Sequence, residues 1–323
     1  MVIGVVEIIQ LSYLIPSLIL MMFVACILLH KILKQSKTFQ NEFYPMVCYR
    51  TFNDILYNVC ILFMLKFPSW LIMPQYYLDS VHIAPIYYVL AASTFCAIFV
   101  HSIFLSVIRY VAIYYPGKYT RISSSRTSII LCCLLFLISF GVGLPTLAFP
   151  SKYIYNNATN TVLPAYAVKS ITYYNFGYAI VFYGSTVILS AIFNVANLIG
   201  LSKNNKKNKN KRSENVFAFY TLFTLFTTSL MEAYFCCRIS GNFFGNQKLL
   251  AIANYSVIWI GDIGTLGHFY FFVFINSEIR ATIKEIFCKV FGIKYAPSLV
   301  KTTEIIKSIY DSKSLRSKNI NRT

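Results

Sequence analysis

Long runs of apolar residues without a charge dominate this sequence. The first extends from residue 11 to residue 29, and similar runs recur along the 323-residue chain. A helix needs about 20 mostly apolar residues to cross the roughly 30 Å hydrocarbon core of a bilayer. Because lipid offers no hydrogen-bond partners to the backbone, such runs fold as helices. The chain is therefore predicted to be an all-α, polytopic membrane protein.

Seven such segments are expected to span the membrane as a helix bundle. They cover residues 8–30, 43–64, 86–110, 127–149, 173–201, 216–237 and 249–275. The second is the least apolar, because it contains Arg50 and Asp54. The first is interpreted as a retained span, since a signal peptide has a basic start and a shorter apolar stretch.

Composition excludes two other classes of protein. Charged residues make up 12% of the chain, whereas soluble domains contain about 25%. With 57% hydrophobic residues, the chain does not have the low hydrophobicity of disordered proteins. The net charge of +18 would suit nucleic-acid binding, but the basic residues lie between the apolar runs. Attraction to anionic lipid is therefore expected rather than a nucleic-acid partner.

The distribution of lysine and arginine predicts the orientation. They are concentrated in the 1–2, 3–4 and 5–6 loops and after the seventh span. The opposite loops hold only Lys66, Lys152, Lys169, Arg238 and Lys248. By the positive-inside rule the N-terminus lies outside and the C-terminus in the cytoplasm. A multi-pass protein of the plasma or ciliary membrane is expected.

Two local patterns agree with this orientation. Asn157 begins an Asn-Ala-Thr glycosylation acceptor in the outer 4–5 loop. After the seventh span, apolar residues at helical spacing predict a short amphipathic helix in the inner interface. Cys288 on this helix is a candidate for lipidation. Residues 1–293 are expected to form the transmembrane domain with this helix, and residues 294–323 a basic, disordered cytoplasmic tail.

This arrangement resembles a G-protein-coupled receptor, and three segments resemble nematode serpentine chemoreceptors of class gamma and its relatives. They are LSYLIPSLIL at residues 11–20, SVIRYVAI at residues 106–113 and FFVFINSEIR at residues 271–280. The resemblance implies a chemosensory receptor that binds a small external ligand, signals through a heterotrimeric G protein and needs no cofactor or metal. It also implies that Arg109, with its neighbour Tyr110, meets the G protein. Alternatively, Arg109 is an interface arginine that obeys the positive-inside rule.

The sequence departs from rhodopsin-like receptors in several places. No acidic residue directly precedes Arg109, and the seventh span lacks an Asn-Pro-x-x-Tyr motif. His268 and Phe269 stand where prolines are expected. The 4–5 loop, residues 150–172, contains no cysteine, so the usual outer disulfide cannot form.

Ionisable residues at membrane depth are costly and mark functional or structural sites. Arg50 and Asp54 are spaced to share one helical face. Asp262 in the seventh span lies at a similar depth, so a network of Arg50, Asp54, Asn58 and Asp262 is expected, with Asn53 nearby. This network would either take part in activation or only stabilise the structure, with no role in switching. Asn194 and Asn197 are expected to bond neighbouring helices.

The outer halves of the spans are the expected place for a ligand. The candidates are Thr94, Tyr173, Tyr174, Glu232, Tyr234, Asn254, Tyr255 and Trp259. Glu232 could pair with a cationic ligand, pair with Arg238 or reach water.

Three other functions are considered. An enzyme is not expected, because the four histidines lie far apart and Gly261-Asp262 lacks the fuller glycine motif of intramembrane aspartyl proteases. An opsin is excluded, since residues 252–275 contain no lysine to hold retinal. A transporter or channel with an Arg/Asp path through Arg50, Asp54 and Asp262 stays open as the alternative.

Overall fold

The computed structural model describes residues 4–34, 39, 43–122, 125–157, 160–204 and 211–290, and these ranges are mostly helical. The long helices are α1 (Val5–Leu33), α2 (Phe43–Ile61), α3 (Ile83–Tyr114), α4 (Ser125–Gly143), α5 (Tyr183–Asn204), α6 (Lys211–Phe244), α7 (Gln247–Asp262) and α8 (Ser277–Val290). Helices α1 to α7 belong to one compact unit that ends at Ile275, and α8 belongs to a second that begins at Asn276.

Several helices continue beyond their regular part. Three are extended by π-helical turns, which shift the register of the side chains that follow. These turns are Leu62–Lys66 after α2, Phe176–Phe182 before α5 and Ile263–Gly267 after α7. Further helical pieces are Phe67–Ser69, Ile171–Asn175, His268–Ile275 and the 3-10 turn Leu144–Ala148. Short helices Pro74–Asp79 and Pro116–Ile122 lie in the connections.

Within the described residues, four helical segments are long and apolar enough to cross a membrane by length and composition alone. They are Val5–Leu33, Ile83–Tyr114, Thr127–Ala148 and Ile171–Lys203. Helix α2 falls short because of its polar residues, but these face the interior: Arg50 and Asp54 are each 1% exposed. Its apolar residues Phe52 and Leu56 are exposed instead. Such a helix can span a bilayer because its neighbours cover its polar face.

Helix α3 is the centre of the bundle and contacts α2, α4, α5 and α6. Its middle, including Ile98 and Phe99, is fully buried. By contrast, Ile129 and Leu137 of α4 and Ile188 of α5 are more than 60% exposed. Polar groups thus lie between helices and apolar groups face outward, as expected in lipid.

The α4–α5 connection forms a β-hairpin that the sequence analysis did not predict. Strands β1 (Ser151–Asn156) and β2 (Thr161–Tyr166) pair antiparallel. Tyr153 and Val162 of the hairpin pack with Tyr77 and Ala84 in a small buried cluster. The Tyr153 hydroxyl donates to the carbonyl of Met64 at 2.5 Å. The end of the bundle that carries it is called the hairpin end.

Helix α6 extends seven residues beyond the predicted boundary at residue 237 and stops at Phe244. The next residue, Gly245, has a φ of +65°, a left-handed conformation that commonly ends helices. Arg238 therefore lies inside α6, not in a loop.

The short helix predicted after the seventh span is present as α8. Its first turn is capped by the Asn276 side chain, whose Oδ1 accepts from the backbone N–H groups of Glu278 and Ile279 at 3.1 Å each. Such caps stabilise helix starts by about 1 kcal/mol.

Candidate functional site

A cavity opens at the hairpin end, between α2, α3, α6, α7, strand β2 and the helical segments that precede α5. Its volume is about 360 Å³, within the range of about 300–1,000 Å³ of small-molecule sites. Its wall is rich in tyrosines, namely Tyr57, Tyr87, Tyr88, Tyr166, Tyr178 and Tyr234. It is called the hairpin-end cavity.

The hairpin forms one side of this cavity. The ring of Tyr166 on β2 stacks on Tyr88 of α3, with centroids 3.8 Å apart. The Tyr88 hydroxyl donates to the carbonyl of Pro164 at 2.9 Å. Burial raises the pKa of Tyr153 on the neighbouring strand, so its hydroxyl stays protonated near neutral pH. The cavity wall is therefore fixed without a disulfide, since all nine cysteines are free.

The most polar feature of the cavity is Arg238. It lines the cavity together with Tyr234 and Asn242, each four residues apart on α6. Its Nη1 donates to the Tyr234 hydroxyl at 2.5 Å, and the side chain is exposed in this cavity. No carboxylate lines the cavity in the described ranges. The site can therefore offer a cation and hydroxyl groups against an aromatic wall.

A buried ion pair lies deeper in the bundle. Arg50 Nε donates to Asp54 Oδ2 at 2.9 Å and lies 2.7 Å from Oδ1. The remaining guanidinium nitrogens donate to the carbonyls of Ile98 on α3, at 3.3 Å, and Gly264 after α7, at 2.8 Å. Arg50 thereby joins three helices.

Asn58 reinforces this connection, as expected. Its Nδ2 donates to the Thr265 hydroxyl at 3.1 Å and to the carbonyl of Asp54 at 2.7 Å. Nearby, Asn53 Nδ2 donates to the carbonyl of Thr94 at 3.1 Å. Arg50, Asp54, Asn58 and Thr265 are called the Arg50 network.

The structure corrects the expected partners of Asp262. Its carboxylate accepts hydrogen bonds from Tyr13 and, at 3.5 Å, from Gln10 Nε2, both on α1. Lys66 Nζ donates to Gln10 Oε1 at 2.9 Å. Asp262 was expected to face Arg50 and Asp54 on α2. Instead, the π-helical turn after Asp262 presents Gly264 and Thr265 to α2, so Asp262 faces α1.

Aromatic contacts run from the cavity towards the Arg50 network. Tyr57, which lines the cavity, lies one turn from Asp54 and packs on Phe95 at 5.1 Å between centroids. Phe95 packs on Phe235 of α6 at 5.3 Å. Tyr57 therefore connects the cavity wall with α2, the helix that carries Arg50.

Further polar contacts join the helices at mid-depth. Asn194 Nδ2 donates to the Ser106 hydroxyl at 2.8 Å and Asn197 Nδ2 to the Ser106 carbonyl at 3.1 Å, which confirms that both bond a neighbouring helix. The fully buried His101 packs edge-on to His268, with centroids 6.2 Å apart. In the described ranges, no cluster of histidine, cysteine or acidic side chains could hold a metal ion.

At the other end of the bundle, the guanidinium of Arg109 lies over the ring of Phe217 at 4.8 Å. This contact joins the end of α3 to the start of α6. Phe217 in turn packs on Phe43 of α2, with centroids 4.4 Å apart. Tyr110 points differently: its ring packs on Tyr114 at 4.7 Å and on Phe193 of α5 at 5.4 Å.

Of the proposed ligand residues, Tyr234 alone is placed in the cavity wall among those with described side chains. Thr94 is buried and bonds its own helix. Trp259 and Tyr173 are exposed on the outside, and the Tyr174 hydroxyl donates to the Val142 carbonyl at 2.6 Å.

The remaining ligand candidates are Glu232, Asn254 and Tyr255. Glu232 faces Gly184 of α5 and its Oε1 lies 3.8 Å from the Cys236 sulfur. The side chains of Asn254 and Tyr255 lie outside the described part of the structure.

Arg238 is the residue of the cavity wall that the sequence analysis did not place there. It was counted with the outer loop because the sixth span was predicted to end at residue 237. The signal was present nonetheless: Tyr234, Arg238 and Asn242 repeat every four residues, which places them on one helical face.

Comparison with known proteins agrees with this architecture. No protein with a curated description matches the chain. Residues 10–288 match the family described as "Serpentine type 7TM GPCR chemoreceptor Srv". The match begins inside α1, runs through α7 and covers most of α8, and it confirms the predicted serpentine receptor and its all-α, multi-pass fold. The chain therefore belongs to the Srv family of serpentine seven-transmembrane chemoreceptors.

Proposed function

We propose that the protein is a chemosensory receptor that binds a small external ligand in the hairpin-end cavity and activates a heterotrimeric G protein at the opposite end of the bundle. The observation that carries the proposal is the alignment of three features along the bundle. The cavity, the Arg50 network and the Arg109–Phe217 contact each join α3 to other helices.

The proposed orientation puts the hairpin end outside the cell, in the plasma or ciliary membrane. Asn157, the glycosylation candidate, is exposed beside the end of β1, while Ala158 and Thr159 of its acceptor lie outside the described residues. Basic residues dominate the loops at the other end, consistent with the positive-inside rule.

An additional observation supports a ligand in the cavity. Asn175 lines the wall, and its Oδ1 is buried without a hydrogen-bond partner among the described residues. A buried polar atom without a partner is costly. A ligand that donates a hydrogen bond to it would therefore be stabilised.

In the proposed signalling mechanism, the ligand binds one conformation of the receptor more tightly than the other. A ligand shifts an equilibrium only as far as it prefers one conformation. Tyr57 links the cavity to α2, and Arg50 links α2 to α3 and to the turn after α7. In the active state Arg109 would leave Phe217, so that α6 moves and a G protein meets Arg109 and the neighbouring surface.

The transporter alternative receives less support. Arg50 and Asp54 are each 1% exposed and bond each other and two further helices. A path for solutes needs polar side chains that line water. Here both charges are enclosed by protein.

The test expresses the full-length receptor in cells and records second-messenger changes across a panel of small molecules. A response that Arg109→Ala abolishes at equal surface level supports the proposal. The matched control is Lys118→Ala, a basic residue beyond the end of α3. Ligand-dependent current or uptake in cells that lack G proteins would instead support the transporter.

A further inference from the structure

We propose that the hairpin-end cavity recognises a small organic monoanion, namely a carboxylate with an aromatic or aliphatic body, through Arg238. This inference rests on the proposed function only in taking the cavity as the ligand site. It names the chemical class of the ligand.

The first step concerns the charge of Arg238. Its side chain hydrogen-bonds to Tyr234, and among the described residues it forms no ion pair with a carboxylate. Glu232 is the nearest acid on the same helix, but it lies six residues away and faces Gly184 of α5. The positive charge in the cavity is therefore not balanced by the protein's described groups.

The second step concerns geometry. A guanidinium has five N–H donors in a planar fork that matches a carboxylate, and the known bond to Tyr234 uses one nitrogen. Two parallel hydrogen bonds from one guanidinium to one carboxylate are short and about twice as strong as neutral ones. The exposure of Arg238 in the cavity leaves this fork accessible to a ligand.

The third step concerns the body of the ligand. Beyond Arg238 the wall is made of tyrosines and apolar side chains such as Phe95, Ile239 and Val257. These surfaces suit an aromatic ring or a short aliphatic chain. Arg238 is the single cation in the described wall, so it matches one negative charge better than the two of a phosphate monoester.

The experiment measures binding directly, without a G protein. Purified full-length receptor in lipid nanodiscs is heated with 3-phenylpropionate or hexanoate, with their methyl esters, and with 3-phenylpropylamine or hexylamine. We expect at least one acid to raise the unfolding midpoint while its ester and amine do not, because binding to the folded state alone stabilises it.

The variants assign the effect to the guanidinium. Arg238→Gln should weaken binding of the acid by about tenfold or more, since a charge-assisted pair is lost. Arg238→Lys should keep part of the affinity, because it retains the charge but not the fork. The matched control is Lys248→Gln, which removes an exposed positive charge at the start of α7, outside the cavity wall. It should bind as the unchanged receptor does.

Several outcomes would overturn the inference: no acid stabilises the receptor, the esters or amines stabilise it equally, phenyl phosphate is preferred to the carboxylates, or Arg238→Gln binds acids normally. If Arg238→Gln does not fold, Arg238→Lys must show the weakening or the inference fails. Signalling by esters or amines would leave the receptor function standing and reject the anion. Binding of acids without any G-protein response would support the anion as ligand and reject the proposed signalling function.

Discussion

The guanidinium of Arg109 lies 4.8 Å above the ring centre of Phe217, so a cation–π contact connects the end of α3 with the start of α6. Rhodopsin-like receptors place an acidic residue directly before the corresponding arginine, and this sequence has none there. A cation–π contact contributes about 0.5–2 kcal/mol, depending on its exposure. The conformation with this contact is called the closed state, and a contact of that size would favour it while still allowing a ligand to break it.

Removing this ring should raise basal activity. In Phe217→Ala the closed state loses the contact with Arg109, so signalling without ligand is expected to increase several-fold. The measurement is the second-messenger level in cells at equal surface expression. Phe219→Ala is the control, because Phe219 is 61% exposed on the same helix and its loss should change little. Equal basal levels in both variants would contradict the proposed role.

Breaking the buried ion pair should destabilise the whole bundle. Asp54→Asn leaves the Arg50 charge buried without its partner, which typically costs about 3–5 kcal/mol. The double variant Arg50→Met/Asp54→Leu removes both charges and should recover much of the loss. Thermal unfolding of the purified receptor measures both effects.

The comparison for this pair is Asp79→Asn, since Asp79 is exposed on a short helix. Its unfolding midpoint should stay close to that of the unchanged protein. The account of the Arg50 network would be refuted if Asp54→Asn were as stable as Asp79→Asn.

Two glycines of α4 offer a sharp test of packing. A Cβ at Gly143 would lie 2.7 Å from the backbone carbonyl of Val89 on α3 and closer still to Ser93. Gly143→Ala should therefore force the helices apart and cost about 1–3 kcal/mol. A Cβ at Gly141 meets nothing within 4 Å, so Gly141→Ala should be neutral or slightly stabilising. Similar midpoints for the two variants would show that α3 and α4 do not pack this closely.

The hairpin should loosen when its hydroxyl contact is removed. Tyr153→Phe deletes the donor to the Met64 carbonyl, a loss of about 1 kcal/mol. Hydrogen exchange of residues 151–166 should speed up, whereas Ile154→Ala, an exposed position on the same strand, should leave it unchanged. Unaltered exchange in Tyr153→Phe would argue against this contact.

The same contact predicts a pH dependence. Burial raises the pKa of Tyr153 above its ordinary value of 10.0, so the folded state favours the neutral phenol. Its contribution is complete below about pH 10 and decreases as the pH rises further. Protease resistance of the hairpin should therefore be constant from about pH 6 to 9 and fall in more alkaline solution. Tyr153→Phe should lack that decrease.

The membrane-spanning helices were predictable because long runs of apolar residues can be read directly from the sequence. The buried pair Arg50 and Asp54 was predictable as well, since an i, i+4 spacing fixes a common face. The partner of Asp262 was not, because a π-helical turn changes which residues face α2 and leaves no clear mark in the sequence. Arg238 was assigned to the outer loop because the sixth span was predicted to end at residue 237, whereas the helix continues to Phe244 and ends before Gly245.

The hairpin of residues 151–166 depends on contacts distant in sequence, and its stacking of Tyr166 on Tyr88 has no local signature. β-branched and aromatic residues such as Ile154 and Val162 favour strands, but the sequence analysis did not use this signal.

Because tyrosine hydroxyls and apolar packing hold the hairpin, and every cysteine is a free thiol, no sulfur bridge fixes this segment in the described structure. A reductant such as dithiothreitol should therefore leave the unfolding midpoint of the purified protein unchanged.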